Sequence, residues 1–344
     1  KLIINAGTTI NVPADKNIQI QGSICAGDSS CGATQASTGS PIRFIWGTAA
    51  EPAPNQTGRC YVTGVFNPDM SCGSGIYLAS TIDQSLTKMN HVTLDGAYGI
   101  PVDIDGQGSI KYGAMIFDGA SLSVTNPTFK DINTTNVLAF GGASPTLDGG
   151  TFEVGIDEQG YHGAAIQAYG AGAGLVVMQV INSAFSGEET DCGSQGGGRS
   201  AIYLENSFVR MDQISITENS YGAFLRASSG YLTNSTITTK CNAIDTNSHL
   251  SANDQDYTFV ISDNAITPTD GAGITAYDGA IVVAERNVIS GSAEGSGFGI
   301  RSSMVTANEN TIGPIGGWNG IWIYGESDVS AENNTILNTA KEPV

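Results

Sequence analysis

Short strands are predicted by the alternation of apolar and polar positions along the chain. Residues 320–324 (GIWIY) and 273–277 (GITAY) place apolar side chains at every second position, with turn residues on either side, which is typical of β-strands. Residues 113–117 and 222–226 fit the same frame, and residues 313–337 have no apolar pattern with the period of a helix. We therefore predict an all-β chain.

A second short motif recurs along the chain: a small polar residue, a spacer and an apolar marker residue. It is clearest as Asn-x-Ile near the C-terminal end. The markers are Val92, Phe129, Phe152, Phe185, Ile214, Ile237, Ile266, Ile289, Ile312 and Ile336. Five of the nine intervals between successive markers are 23 or 24 residues, and the longer ones contain Gly-rich insertions. This spacing predicts a solenoid of roughly twelve coils of about 23 residues.

These repeats resemble the single-stranded right-handed parallel β-helix of the pectate-lyase-like fold, which implies a secreted or cell-surface protein. The resemblance covers about residues 76–340. We expect one continuous domain, with disulfide-stapled first coils over residues 1–75 and a regular β-helix over residues 76–344. Asn before each marker fits this fold, because Asn tolerates the left-handed conformation and can stack on its copies in neighbouring coils.

One outward face of this β-helix is expected to carry aromatic side chains. In the Gly-Ile-x-Ile-x frame, the two x positions point away from the core. The aromatic residues expected there are Tyr77, Phe117, Phe140, Tyr169, Tyr203, Phe224, Tyr277, Trp322 and Tyr324. An exposed apolar stripe usually marks a binding surface. It would bind polysaccharide, as in enzymes of this fold, or form a protein interface. Alternatively, the Gly-rich insertions cover it.

Composition and charge limit the classes of ligand that the protein could bind. The chain has 45 glycines, and its 14 Lys and Arg against 33 Asp and Glu give a net charge of −19. Such acidity excludes nucleic acid, because no basic cluster could neutralise phosphates. It also disfavours a polyanionic substrate unless cations bridge the two. No apolar run approaches the roughly 20 residues of a membrane span.

Cysteine usage favours an oxidising, extracellular setting. The spacing suits disulfides between Cys25 and Cys31, between Cys60 and Cys72, and between Cys192 and Cys241; six free thiols are the alternative. Candidate glycosylation sequons begin at Asn55, Asn133, Asn234 and Asn333.

Catalytic motifs known from enzymes of this fold are missing. Neither the polygalacturonase set nor the Arg-x-Pro-x-x-Arg pattern of pectate lyases occurs. The remaining candidates are Glu205, Arg226, Asp245 and Arg301, near the middle of the outward face. Opposed charges in neighbouring coils could do acid–base chemistry, or could form a cross-strand ion-pair ladder.

A calcium site is the one cofactor site that the sequence suggests. Asp103 and Asp105 lie in a segment that resembles the first half of a calcium-binding loop, and the second half of that pattern is missing. A solvated turn is the alternative interpretation. No other cofactor is expected.

The ends of the chain suggest either that it is one module of a longer protein or that neighbouring subunits cover its ends. Neither end has an amphipathic helical stretch that would cap a β-helix, and an open strand edge templates pairing with another chain. Head-to-tail pairing of this kind generates filaments. We therefore expect an extracellular structural or adhesive protein rather than an enzyme. A polysaccharide lyase or hydrolase, or a glycan-binding module, is the alternative.

Overall fold

The computed structural model confirms an all-β chain with three parallel sheets. It describes residues 1–13, 16–47, 61–62, 65–66, 73–104, 110–132, 134–153, 164–170, 174–187, 192, 200–248 and 257–337. Within these residues the only helical element is a turn of 3-10 helix, Ser29–Cys31. The chain visits the three sheets in turn, one strand each per coil, as predicted for a right-handed parallel β-helix. The first and second strand positions each recur twelve times, in agreement with the predicted number of coils.

The chain forms two compact units, Lys1–Gln179 (unit 1) and Val180–Val344 (unit 2). The division predicted between residues 75 and 76 stays a prediction. Strand β19 (Val176–Ile181) spans the boundary between the units.

Unit 1 contributes five strands to each sheet. Its first-sheet strands are β1 (Leu2–Ile4), β4 (Ile24–Ala26), β9 (Lys88–Asn90), β13 (Ser123–Thr125) and β16 (Thr146–Asp148). Its second-sheet strands are β2 (Thr9–Val12), β5 (Ile42–Trp46), β10 (Val92–Asp95), β14 (Thr128–Lys130) and β17 (Thr151–Glu153). Its third-sheet strands are β3 (Asn17–Ile20), β8 (Gly75–Leu78), β12 (Ile110–Asp118), β15 (Thr135–Phe140) and β18 (Ile166–Tyr169). Two antiparallel additions are β11 (Ile100–Asp103), which pairs with β12, and the hairpin of β6 (Tyr61–Val62) and β7 (Val65–Phe66).

Unit 2 is the more regular of the two. Its first-sheet strands are β22 (Ser207–Asp212), β25 (Ser229–Thr233), β28 (Thr258–Ser262), β31 (Ile281–Glu285), β34 (Met304–Asn308) and β37 (Asp328–Glu332). Its second-sheet strands are β20 (Ala184–Ser186), β23 (Ser215–Asn219), β26 (Thr236–Thr239), β29 (Ala265–Pro268), β32 (Val288–Gly291), β35 (Thr311–Ile315) and β38 (Thr335–Ile336). Its third-sheet strands are β21 (Ser200–Glu205), β24 (Tyr221–Arg226), β27 (Ile244–Asn247), β30 (Ile274–Tyr277), β33 (Phe298–Arg301) and β36 (Ile321–Tyr324).

The marker residues form a core column along the second sheet. Two of the predicted markers lie two residues before the true column position. Strand register places Leu94 in this column instead of Val92, and Ile216 instead of Ile214. The error arises because Val92 and Ile214 are also buried apolar residues, and residues two apart face the same side of a strand.

Asn side chains form a hydrogen-bonded column inside unit 2, as predicted. Its members are Asn264, Asn287, Asn310 and Asn334. The side-chain nitrogen of each of the first three donates to the side-chain oxygen of the next at 3.0 Å, and to a backbone carbonyl. The left-handed residues, however, are those immediately before them: Asp263, Arg286, Glu309 and Asn333. The column therefore satisfies buried polar groups from inside the coil, one residue beyond each tight turn.

Two of the three predicted disulfides are confirmed. Cys25 pairs with Cys31, and Cys192 pairs with Cys241. Cys60 and Cys72 lie outside the described residues.

Candidate functional site

The third sheet of unit 2 presents two outward columns of side chains. The first holds Tyr203, Phe224, Asp245, Thr275, Gly299 and Trp322. The second holds Glu205, Arg226, Asn247, Tyr277, Arg301 and Tyr324. Gly299 has no side chain, so the first column is open at this coil.

In unit 1, the expected outward position of Phe117 is wrong. Phe117 pairs in register with Leu78 and Ala139, and all three are fully buried in the core. Residues 113–117 are buried throughout, so β12 lacks the polar alternation that reveals which face a residue occupies. A shift of one residue in the assumed frame exchanges the two faces.

The other aromatic residues predicted for this face of unit 1 are covered. Tyr77, Phe140 and Tyr169 are only 9, 9 and 5% exposed. The Tyr77 hydroxyl donates to Asp118, and burial together with this bond raises the pKa of Tyr77. The Lys111 ammonium lies 5.2 Å from the centre of the Tyr169 ring. The exposed stripe expected in unit 1 is therefore not present among its described residues.

A groove of about 420 Å³ lies on the outward columns of unit 2. Its walls combine aromatic rings, small residues and a few charged groups. The lining residues are Tyr221, Phe224, Asn242, Asp245, Gly271, Ala272, Thr275, Tyr277, Glu294, Gly295, Ser296, Gly299, Arg301, Trp318, Trp322 and Tyr324. Apolar walls with a few convergent polar groups are the usual make-up of a ligand site.

Three aromatic rings form a continuous exposed surface in this groove, which we call the aromatic platform: Trp318, Trp322 and Tyr324. The ring centres of Trp318 and Trp322 are 5.3 Å apart, and those of Trp322 and Tyr324 are 4.4 Å apart with an interplanar angle of 27°. The three side chains are 45, 37 and 39% exposed. Trp318 was not among the predicted outward residues because it precedes strand β36. A second Trp four residues before Trp322 was the available signal.

Asp245 is a buried carboxyl group in the wall of the groove. It is 5% exposed, and Asn242 Nδ2 donates to its Oδ1 at 2.9 Å. The Thr275 hydroxyl also donates to Oδ1. Burial raises the pKa of Asp245 to about 6, although these two hydrogen bonds act to lower it. Burial, and then the charge of Asp245, also raise the pKa of Tyr221 and bring that of Tyr277 to about 12.

Arg301 is held by its neighbours at the rim of the groove. Its Nη2 lies 2.7 Å from Asp278 Oδ1, and this bond raises the pKa of the guanidinium group. The guanidinium carbon is 5.7 Å from the centre of the Tyr277 ring. Arg301 is therefore already paired within the protein.

Glu205 and Arg226 form a separate cluster. Their charged groups are 3.9 Å apart, and the Tyr203 hydroxyl donates to Glu205 Oε2 at 2.9 Å. The Tyr203 and Phe224 rings stack at 5.5 Å. Asp245 is in register with Phe224 instead, and no ion pair joins Asp245 to Arg226 among the described residues. The predicted group of three charges is thus brought together only in part.

The predicted calcium site and glycosylation sequons are only partly within the described residues. Asp103 ends strand β11, and Asp105 lies outside the described residues. Within the part of the chain that the structure describes, no group of three or more His, Cys, Asp or Glu could hold a metal ion. Asn234 and Asn333 are exposed, whereas Asn55 and Asn133 lie outside the described residues.

No helix in the described ranges is long and apolar enough to cross a membrane.

Comparisons with known proteins agree with the architecture. A family model for the right-handed β-helix region matches residues 248–344. No curated protein matches the chain in sequence.

Three solved structures illustrate the similarity. PfbA, a surface adhesin of Streptococcus pneumoniae, aligns with 97% of this chain and 80% of its own at 13% identity, with a TM-score of 0.46. The periplasmic alginate epimerase AlgG aligns with 88% of this chain and 75% of its own at 13% identity, with a TM-score of 0.37. The A-module of the mannuronan C-5 epimerase AlgE6 from Azotobacter vinelandii aligns with 98% of this chain and 91% of its own at 12% identity, with a TM-score of 0.29.

Similarity at these values says nothing about ligand or activity. The three-sheet topology and the match over residues 248–344 identify the chain as a right-handed parallel β-helix protein.

Proposed function

We propose that the protein is an extracellular adhesive β-helix that binds polysaccharide in the groove of unit 2. The observation that carries this proposal is the aromatic platform of Trp318, Trp322 and Tyr324. Large aromatic rings that stay exposed on a folded protein usually mark a binding surface. The exposed parts of these rings can pack against the apolar faces of sugar rings.

The polar groups beside the platform support a sugar ligand. Asp245 and Asn242 on one wall and Arg301 at the rim provide acceptors and donors within the same groove. A few fixed polar groups among apolar walls orient a ligand and give specificity. The hydroxyl groups of a saccharide would meet them while its ring rests on the platform.

The two described disulfides support the extracellular setting, because such bonds form and persist in oxidising compartments. The head-to-tail self-association expected from the sequence stays a prediction.

A pair of substitutions tests the glycan-binding groove. Trp322→Ala removes the central ring of the platform. Gly299→Leu fills the floor, where an added Cβ would meet only Thr275 Cγ2, at 3.5 Å. We expect both variants to fold and to lose at least about tenfold in affinity, or about 1.4 kcal/mol, for any oligosaccharide that a glycan array identifies.

Tyr231→Ala is the matched control for this test, because Tyr231 is an exposed aromatic residue of the first sheet, outside the groove. Calorimetric titration of the three variants measures the effect. Unchanged affinity in both groove variants, or an equal loss in Tyr231→Ala, would contradict the proposal.

A second candidate function is cleavage of the bound polysaccharide. It is favoured by Asp245, whose pKa of about 6 suits a general acid or base. The expected outcome is that Asp245→Asn abolishes release of reducing ends or unsaturated products but leaves binding measurable. Wild-type protein that binds a polysaccharide without shortening it on prolonged incubation would exclude this function.

A further inference from the structure

We infer that the groove of unit 2 selects glycans with free amino groups over neutral or uronate glycans. This inference rests on the proposed glycan-binding function and adds the chemical class of the ligand. It follows from the charges that line the groove and from one unpartnered carboxylate oxygen in its wall.

The groove has an unneutralised negative charge. Its acidic lining residues are Asp245 and Glu294, and Arg301 is the one basic residue among the described residues that line it. Arg301 is paired with Asp278 at 2.7 Å. Neither Asp245 nor Glu294 forms an ion pair with any described residue. The chain as a whole carries a net charge of −19, so a polyanionic ligand is repelled both locally and at long range.

Asp245 has an unfilled place for a donor. Both of its hydrogen bonds, from Asn242 and Thr275, end on Oδ1. No described residue donates to Oδ2, and Asp245 lines the groove while being 5% exposed. A carboxylate oxygen can accept two hydrogen bonds. An ammonium group that donates to Oδ2 would compensate the cost of this buried charge, which a neutral hydroxyl does less well.

The aromatic walls favour the same ligand. Ring faces attract cations within about 6 Å of the ring centre, most strongly for Trp. Trp322 shares the first outward column with Asp245, and Tyr277 lies in the second. A 2-amino sugar combines an apolar ring face for the platform with an ammonium group for Asp245 and Glu294. A basic peptide would satisfy the charge but would leave the flat platform without a matching ring.

Three sets of oligosaccharides of equal length test the inference: β-1,4-linked glucosamine, its N-acetylated counterpart and galacturonate. Calorimetric titrations at low salt and at about pH 6.5 give the affinities, because at lower pH the Asp245 carboxyl group, whose pKa is about 6, would be protonated. We expect the glucosamine oligomer to bind about tenfold or more tightly than the acetylated one, and the galacturonate oligomer to bind most weakly. Added salt should reduce the preference for the amino form.

Charge-neutral substitutions locate the source of the preference. Glu294→Gln, at an exposed position, and Asp245→Asn should each reduce the preference severalfold, because affinity for the glucosamine oligomer falls more than affinity for the acetylated one. Glu218→Gln is the matched control, because Glu218 is exposed on the second sheet outside the groove, and it should keep the full preference.

The outcomes separate the two proposals. If neither neutral nor amino oligosaccharides bind, the proposed glycan-binding function fails and this inference fails with it. If both bind in a Trp322-dependent way with equal affinity, or if galacturonate binds best, the inference alone is overturned. Displacement of the sugar by oligolysine at equal or lower concentration would identify a basic peptide as the ligand and would also overturn it.

Discussion

The outward side of the third sheet carries aromatic residues in both units, but their surroundings differ. In unit 1, Tyr77 and Tyr169 are buried, and each is engaged by a charged residue, Asp118 and Lys111 respectively. In unit 2, Trp322 and Tyr324 are exposed and stack on each other beside an open groove. The same strand positions are therefore covered in unit 1 and exposed in unit 2.

This difference shows that alternation reports only which side of a strand a residue faces. Whether that side is covered depends on contacts from other residues, such as Asp118 and Lys111 against the tyrosines of unit 1. An outward aromatic residue is thus a candidate contact only where nothing packs over it.

The largest effect is expected for a core residue once assigned to the outward face. Phe117→Ala should lower the free energy of unfolding by about 3–5 kcal/mol, because it empties a fully buried site. Trp322→Ala should lower it by only about 1–2 kcal/mol, because its ring is partly exposed and loses mainly its contacts with Trp318 and Tyr324. Denaturant unfolding of both variants measures the contrast. Similar losses in the two variants would break the distinction between the units.

The buried carboxyl group in the groove should make stability depend on pH. The pKa of Asp245 is raised from 3.8 to about 6 in the folded protein. Its stabilising contribution is therefore complete below about pH 4 and is lost as pH rises through about 6, a change of about 3 kcal/mol. Asp245→Asn cannot titrate. Wild type should lose about this much stability relative to the variant between about pH 4 and about pH 7, measured by denaturant unfolding. A constant difference would show that Asp245 is not buried.

The buried asparagine column is expected to contribute to the stability of unit 2. Asn287→Ala removes a fully buried side chain that donates to Ile261 O and Asn310 Oδ1 and accepts from Asn264. The groups left unpaired should cost about 1–3 kcal/mol. Ser330→Ala, at an exposed position of strand β37, serves as the control. Thermal unfolding of the two variants should separate them, and equal midpoints would contradict a stabilising role for the column.

The smallest effect is expected for the ion pair of Glu205 and Arg226. The two side chains are partly exposed and their charged groups are 3.9 Å apart. Such pairs contribute less than about 1 kcal/mol and are screened by salt. Arg226→Gln should therefore lower the free energy of unfolding only slightly, and by less at high salt. A loss of several kcal/mol would show that this part of the outward face is as closely packed as that of unit 1.

Much of the architecture was predictable from residue patterns. The Asn-x-Ile repeat predicted the coils and the buried column, because both depend on local turns and on contacts between equivalent residues. The prediction of which β12 residues face outward was wrong, because residues on both faces of this strand are buried and the alternation of apolar and polar residues disappears. The assignment of Val92 instead of Leu94 to the marker column was wrong for a related reason, because both side chains face the core.

The groove was less predictable than the coils. Trp322, Tyr324 and Asp245 were assigned to the outward face, but Asn242, Glu294 and Trp318 lie in connecting segments between strands, where no periodicity applies. That Asp245 is buried could not be read from the sequence either, because its burial depends on Thr275 and Tyr277 from the next coil.

The column of asparagines also gives unit 2 a modular length. Asn287 presents to the preceding coil the same acceptor that Asn310 presents to it, 23 residues later. A coil copied between these positions would find its donors and acceptors already in place, and Asn334 makes the same contact 24 residues after Asn310, so the column also accommodates a change of length in the connecting segments. The number of coils in this unit can therefore change without changing the pattern of hydrogen bonds that joins them.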